Sequence, residues 1–186
     1  MNLRDVLDNE ILAQVEKPSR YLGNELNSTQ KDPNDVDLRI CFFFPDLYEF
    51  GLGNLGLHIL YAQMNRLDWV WAERGYTPGI DLEKILRERE LPLFMLESKD
   101  PMAVADMIGF TLQSELTFTN IVNALDLAGL PIRSVDRDDS MPLIFAGGPA
   151  VFNPEPIAPF IDFFVIGDGE DIMMEIAELM RGLKEA

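Results

Sequence analysis

From Asp37 onward the sequence alternates short, almost unbroken apolar runs with longer amphipathic stretches, a rhythm that few folds accommodate. A run such as Ile40 to Phe44 offers no polar side to water, so as a strand it must be covered on both faces. Helices returning between successive parallel strands supply that cover. The pattern predicts strands at 37–44, 68–74, 92–96, 106–112, 142–147 and 162–166, and helices at 54–66, 80–90, 115–129 and 168–184. The expected fold is therefore α/β: a Rossmann-like, doubly wound, mostly parallel sheet of five or six strands with helices on both faces. Between the last two strands, Asn153-Pro154-Glu155-Pro156-Ile157-Ala158-Pro159 is too rich in proline for a full crossover helix and predicts a short, stiff turn. The last helix has its start signal in Asp168, with Glu170 and Asp171 at its positive end.

Residues 1–36 follow a different pattern. Leu3, Val6, Leu7, Ile11, Leu12 and Val15 recur at helical spacing before Pro18, and a polar stretch runs from Asn24 to Asp37. This predicts a helical arm ahead of one domain at 37–186. The apolar stripe of the arm must bury itself on this domain or on a neighbouring one.

Charge and cysteine content narrow the function. Against 32 Asp and Glu there are only 15 Lys and Arg, a formal charge of -17. Nucleic-acid binders neutralise phosphates with clustered cations, so this domain is not expected to bind nucleic acid. Its longest apolar run, Ile40 to Phe44, is far short of the roughly 20 residues of a membrane-crossing helix. The N-terminus lacks the apolar stretch of a secretory signal, so the expected location is the cytoplasm, with no membrane partner. The single cysteine, Cys41, permits neither an internal disulfide nor a cysteine-rich metal cluster. Cys41 reads as a core thiol, and the single histidine, His58, as a mid-helix residue, so no catalytic or metal-binding residue stands out.

Doubly wound sheets bind ligands outside the carboxyl ends of their strands, which directs attention to four loops. The first, Pro45 to Gly56, contains G-x-G-x-x-G at Gly51, Gly53 and Gly56, with Glu73 where a dinucleotide site places its ribose-binding acid. Six residues, Pro45 to Phe50, separate the strand from Gly51, too many for that fingerprint. The alternative is that these glycines permit a tight turn into the helix. The second loop bunches Thr111, Gln113, Ser114 and Glu115; they line a ligand site, or Ser114 caps the helix by accepting from the N–H of Thr117. In the third, Gly147-Gly148 allows close approach of a backbone or a flat ligand, or makes a simple turn. In the fourth, Gly167-Asp168-Gly169-Glu170-Asp171 carries acids that repel phosphate.

Taken with Arg20 to Asn27, Pro92 to Phe94, Leu96-Glu97-Ser98, Ile108 to Gln113, Asn153 to Pro156 and Val165 to Glu170, these loops resemble the N-terminal region of bacterial radical S-adenosylmethionine (radical SAM) proteins described as cobalamin-binding. The resemblance implies a Rossmann-like accessory domain that holds cobalamin over the active site of a following radical SAM barrel. Cobalamin domains share an Asp-x-His-x-x-Gly loop, a Ser-x-Leu step and a Gly-Gly pair. Asp46 to Gly51 fits the first with Tyr48 in the His position, Ser114-Glu115-Leu116 the second, and Gly147-Gly148 the third. By this resemblance the cofactor-binding residues are Asp46, Tyr48, Gly51, Gly53, Asn54, Thr111, Gln113, Ser114, Gly147, Gly148, Gly167 and Glu170. A phenol is a poor stand-in for imidazole at neutral pH, so cobalamin is expected to bind without a His ligand.

The radical SAM 4Fe-4S cluster takes three cysteines in the spacing Cys-x-x-x-Cys-x-x-Cys. With Cys41 alone, this chain is expected to be a piece of a longer protein whose catalytic domain, with its 4Fe-4S cluster and S-adenosylmethionine, lies outside it and is its partner. Two alternatives remain open: the same domain with its cofactor site lost, serving to dock substrate or shape the mouth of the barrel, and an independent dinucleotide-binding domain.

Overall fold

The computed structural model describes residues 2–185. Five strands, β1 (Leu38–Phe44), β2 (Val70–Tyr76), β3 (Met107–Thr111), β4 (Leu143–Gly147) and β5 (Phe163–Val165), form one sheet in the order β2-β1-β3-β4-β5. Every pairing is parallel. Cys41 of β1 stands between Glu73 of β2 and Ile108 of β3, so the chain order reverses between β1 and β3.

Among the described residues, six α-helices accompany the sheet: α1 (Leu3–Val6), α2 (Tyr48–Gly51), α3 (Leu55–Asn65), α4 (Ile80–Glu88), α5 (Phe118–Leu127) and α6 (Gly169–Glu185). Alternate residues of β1 serve opposite faces. Cys41 and Phe43 pack with Leu82 and Leu86 of α4 and Ile121 and Leu125 of α5. Ile40 and Phe42 pack with Leu57 and Met64 of α3 and Met173 and Ala177 of α6. Helices thus cover both faces, as the unbroken apolar strands require.

The segment expected as a strand at 92–96 is not one. Leu93 to Leu96 are buried as a strand would be, yet the segment makes only an isolated antiparallel bridge, Phe94 with Pro101. The cause is charge at the free edge of β2. The N–H of Leu96 donates to the carbonyl of Arg74 at 2.7 Å, but the N–H of Arg74 donates to the Glu97 carboxylate rather than to a main-chain carbonyl, which ends the ladder. The proline-rich crossover contains two 3-10 turns, Pro149–Phe152 and Ala158–Phe160, and no full helix.

The arm helix also departs from expectation. α1 runs into a π turn, Leu7–Ile11, and Pro18 opens a 3-10 turn, Pro18–Tyr21, instead of ending a helix. Val6, Leu7, Ile11, Leu12 and Val15 are buried with Cys41 and Phe43, so the apolar stripe is covered by this domain. The chain then crosses the outside of β2: the Trp71 indole N–H donates to the Thr29 carbonyl at 3.1 Å, and Lys31 Nζ donates to the Leu67 carbonyl at 2.7 Å. An edge strand left open invites pairing with other chains, and here the arm lies along part of it, with Lys31 Nζ donating to the Val70 carbonyl as well.

Candidate functional site

At the carboxyl ends of β1, β3, β4 and β5 lies a cleft of about 280 Å³, close to the lower end of the roughly 300–1,000 Å³ common for small-molecule sites. It sits where the strand order reverses, the place at which open α/β sheets bind ligands. Phe42, Phe145 and Val165 line it from the strands, and Asn54, Gly56 and Leu57 from the start of α3. Gly169, Glu170 and Met173 line it from the start of α6.

Its glycines do different work. At Gly109 a Cβ would stand 2.2 Å from the Phe145 ring, so the missing side chain is what lets the tip of that ring lie over β3, while Phe163 of β5 stacks on it with ring centroids 5.4 Å apart. At Gly147 a Cβ would meet Val165 at 3.8 Å, an ordinary contact distance, so this position has room for a small side chain. Gly148 has φ 105° and packs on the Leu112 backbone, a conformation that suits glycine.

Of the residues singled out by sequence, Asn54, Thr111, Gln113, Gly147, Gly148, Gly167 and Glu170 all line this one cleft. Several are partly engaged. The Asn54 side chain caps α3 by accepting from the N–H of Leu57 at 2.8 Å, and Gln113 Nε2 donates to Thr111 Oγ1 at 2.8 Å. The Glu170 carbonyl accepts from Gln63 Nε2 at 2.8 Å, tying the start of α6 to α3.

The other five do not line the cleft. Asp46 accepts from the N–H of Leu47 at 2.7 Å, and its carbonyl accepts from that of Thr77 at 3.0 Å. Tyr48 lies edge-to-face on Tyr76, and its hydroxyl donates to Glu25 Oε1 at 2.6 Å. Burial, and then that bonded carboxylate, push the Tyr48 phenol well above its usual range. Gly51 is packed under the rings of Phe44 and Tyr76, and Gly53 is open to solvent. Ser114 is a cap, but its hydroxyl accepts from the N–H of Leu116 at 3.2 Å, one residue earlier than expected.

The dinucleotide pattern does not assemble. Glu73 lies within β2, wholly buried, where it pairs with Arg39 at 2.5 Å and accepts from the N–H of Ser98 at 2.8 Å. Cys41 is buried too, and burial first, then the charges of Glu73 and Glu97, push its thiol well up. His58 is near the surface, its Nε2 against the Leu52 carbonyl.

Sequence reasoning missed Phe42, Leu57, Phe145, Val165 and Met173, which supply the apolar walls. At the level of sequence they are ordinary core positions of strands and helices, and only the ends of the elements distinguish them. Among the described residues, no group of three or more His, Cys, Asp or Glu side chains is placed to hold a metal ion, and no helix is long and apolar enough to cross a membrane.

No curated protein matches the chain. The sequence profile of the family described as "Radical SAM proteins, N-terminal" matches residues 56–186. That stretch runs from α3 to the end of the chain, including β2 to β5 and most of the cleft, while the arm and the 45–55 loop precede it. The chain belongs to this family, the N-terminal region of radical SAM proteins.

Proposed function

We propose that this accessory domain holds cobalamin at the cleft and presents it to the radical SAM catalytic domain of the same protein. The observation that carries the reading is the cleft itself, about 280 Å³ set between the apolar walls of Phe42, Phe145 and Val165 and floored by Gly147 at the switch point of the sheet. A slot of about 280 Å³ with aromatic walls suits the flat nucleotide base of the cofactor's tail and leaves the macrocycle outside. Amide side chains of the macrocycle suit a rim with acidic residues, Asp168 and Glu170, better than a free phosphate does. Tyr48 is committed to Glu25, so this reading has no cobalt ligand from position 48. When bound, cobalamin would supply a redox-active cobalt centre, and the residues of the cleft would bind and orient it.

A second reading, a docking module without cofactor, has its own support. Phe50, Leu52, Leu116, Phe152 and Ile166 are exposed on the loops that follow the strands, an apolar rim suited to another domain.

The test is uptake of hydroxocobalamin by the full-length protein, read as visible absorbance retained after desalting. A Cβ at Gly147 is tolerated at 3.8 Å from Val165, so Gly147→Leu, which narrows the cleft it lines, should abolish retention, and its melting temperature, measured alongside, separates loss of the site from loss of the fold. Absence of retained absorbance in the unmodified protein would leave the docking reading in its place.

A further inference from the structure

Away from the cleft, the arm clasps α2 at two points. Arg20 holds the Glu49 carboxylate, with Nε and Nη2 each 2.9 Å from its oxygens. Glu25 accepts from the Tyr48 hydroxyl through Oε1 and from Arg74 Nη2 through Oε2, both at 2.6 Å. Arg74 is itself fixed, its guanidinium buried at the end of β2 and bonded to Glu97 at 2.6 Å. Burial alone would raise the Glu25 carboxyl, but the bonds from Tyr48 and Arg74 outweigh it and hold it below its usual value, so it stays an ionised, strong acceptor.

These clasps matter because α2 cannot place itself. It is one turn, four residues long, without a side-chain cap, and so short a helix has no stability of its own. The N–H of Asn54 donates to the Gly51 carbonyl at 2.9 Å, so the position of α2 is passed directly to the residue that begins α3 and lines the cleft.

We infer that Arg20 and Glu25 are positioning residues for the cleft: by holding α2 against the end of β2, they set where Asn54, Gly56 and Leu57 stand over the carboxyl edge. The arm is thus part of the ligand site without touching the ligand. For its effect on binding, this inference rests on the reading of the cleft as a cobalamin site.

The test is peptide-level hydrogen exchange on the full-length protein. Tyr48→Phe removes one hydroxyl and leaves the ring on Tyr76, and Arg20→Gln removes the two-nitrogen hold on Glu49, leaving the longer, exposed Lys17 contact at 3.3 Å, so neither threatens the fold. Each should raise exchange over 47–54 at least tenfold and leave 107–111 unchanged, with the double variant raising it further. Hydroxocobalamin affinity should fall several-fold in each variant at an unaltered melting temperature, a local loosening that a general loss of stability does not produce. Unchanged exchange over 47–54 in the double variant would overturn the inference. If the unmodified protein takes up no hydroxocobalamin, the cofactor reading falls, while the exchange comparison still decides whether the arm positions α2.

Discussion

Glu97 bonds Arg74 twice, through the side chain and through the backbone: Oε1 accepts from Nε at 2.6 Å, and Oε2 accepts from the main-chain N–H at 2.7 Å. Both side chains are almost wholly buried. One carboxylate therefore neutralises a buried cation and satisfies an N–H on the free edge of β2. Removing Glu97 leaves Arg74 with the half-buried Glu25 as its remaining charged partner and orphans the Arg74 main-chain N–H, which costs about 1–3 kcal/mol. Glu97→Ala should lower stability by that order in chemical denaturation, and a loss below about 1 kcal/mol would show that the pair contributes little.

The same carboxyl makes stability depend on pH. Burial, opposed by the Arg74 charge and assisted by Glu73, pushes Glu97 up from 4.5 to about 7. A raised acid binds its proton more readily in the folded state, so its contribution is fully present below the unfolded value and is lost as pH rises through about 7. Glu25 and Asp81 are shifted the other way, and their contribution is lost as pH falls below the usual carboxylate range. The melting temperature should therefore peak at about pH 4.5–5, decline up to about pH 7 and level off above it, with Glu97→Gln flattening that decline. A profile that is flat or rising from pH 5 to 7 would contradict this.

Two glycines of one cleft should respond unequally to alanine. At Gly109 the new methyl meets the Phe145 ring at 2.2 Å, and overpacking of this kind costs about 1–3 kcal/mol. At Gly147 the nearest atom is 3.8 Å away, so Gly147→Ala should change stability by less than about 0.5 kcal/mol. Thermal melts of the two variants side by side check the difference, and equal losses would show that Gly147 has no such room.

Much of this architecture was legible in the sequence, because both-face burial leaves its mark on strands such as Ile40 to Phe44. The misreading of 92–96 shows the limit of that signal: Leu93 to Leu96 are as buried as a strand, and whether a ladder forms depends on where Glu97 places its carboxylate. The cleft was half legible. Glycines and polar residues at strand ends, such as Gly147 and Gln113, mark it by type. Phe145 and Val165 do not, since a wall residue and a core residue are chemically the same. Tyr48 was placed by its position in a motif, but the direction of its side chain is decided by Glu25 and Tyr76, which are remote in sequence.

Cys41 should be inert in the native protein. Its thiol is wholly buried in β1, and burial together with nearby carboxylates keeps it protonated, whereas the thiolate is the reactive form. In this domain, an aromatic disulfide reagent should leave Cys41 unmodified over hours in buffer and label it at once in denaturant. Prompt native labelling would mean that the sheet opens readily.

The arm's share in the core gives a last expectation. Leu7 and Ile11 are fully buried against the face that carries Cys41 and Phe43, and the π turn from Leu7 to Ile11 brings both into that layer. Replacing a buried leucine by alanine removes its transfer free energy and leaves a cavity, together about 2–5 kcal/mol. Leu7→Ala should therefore destabilise the whole domain in a single cooperative transition, as should Leu82→Ala on α4, which packs on the same face of the sheet. An arm packed as a separate unit would behave differently: Leu7→Ala would then leave the main transition in place and add an early, low-temperature step. Following near-ultraviolet circular dichroism, which reports the aromatic core around Phe43, separates the two outcomes.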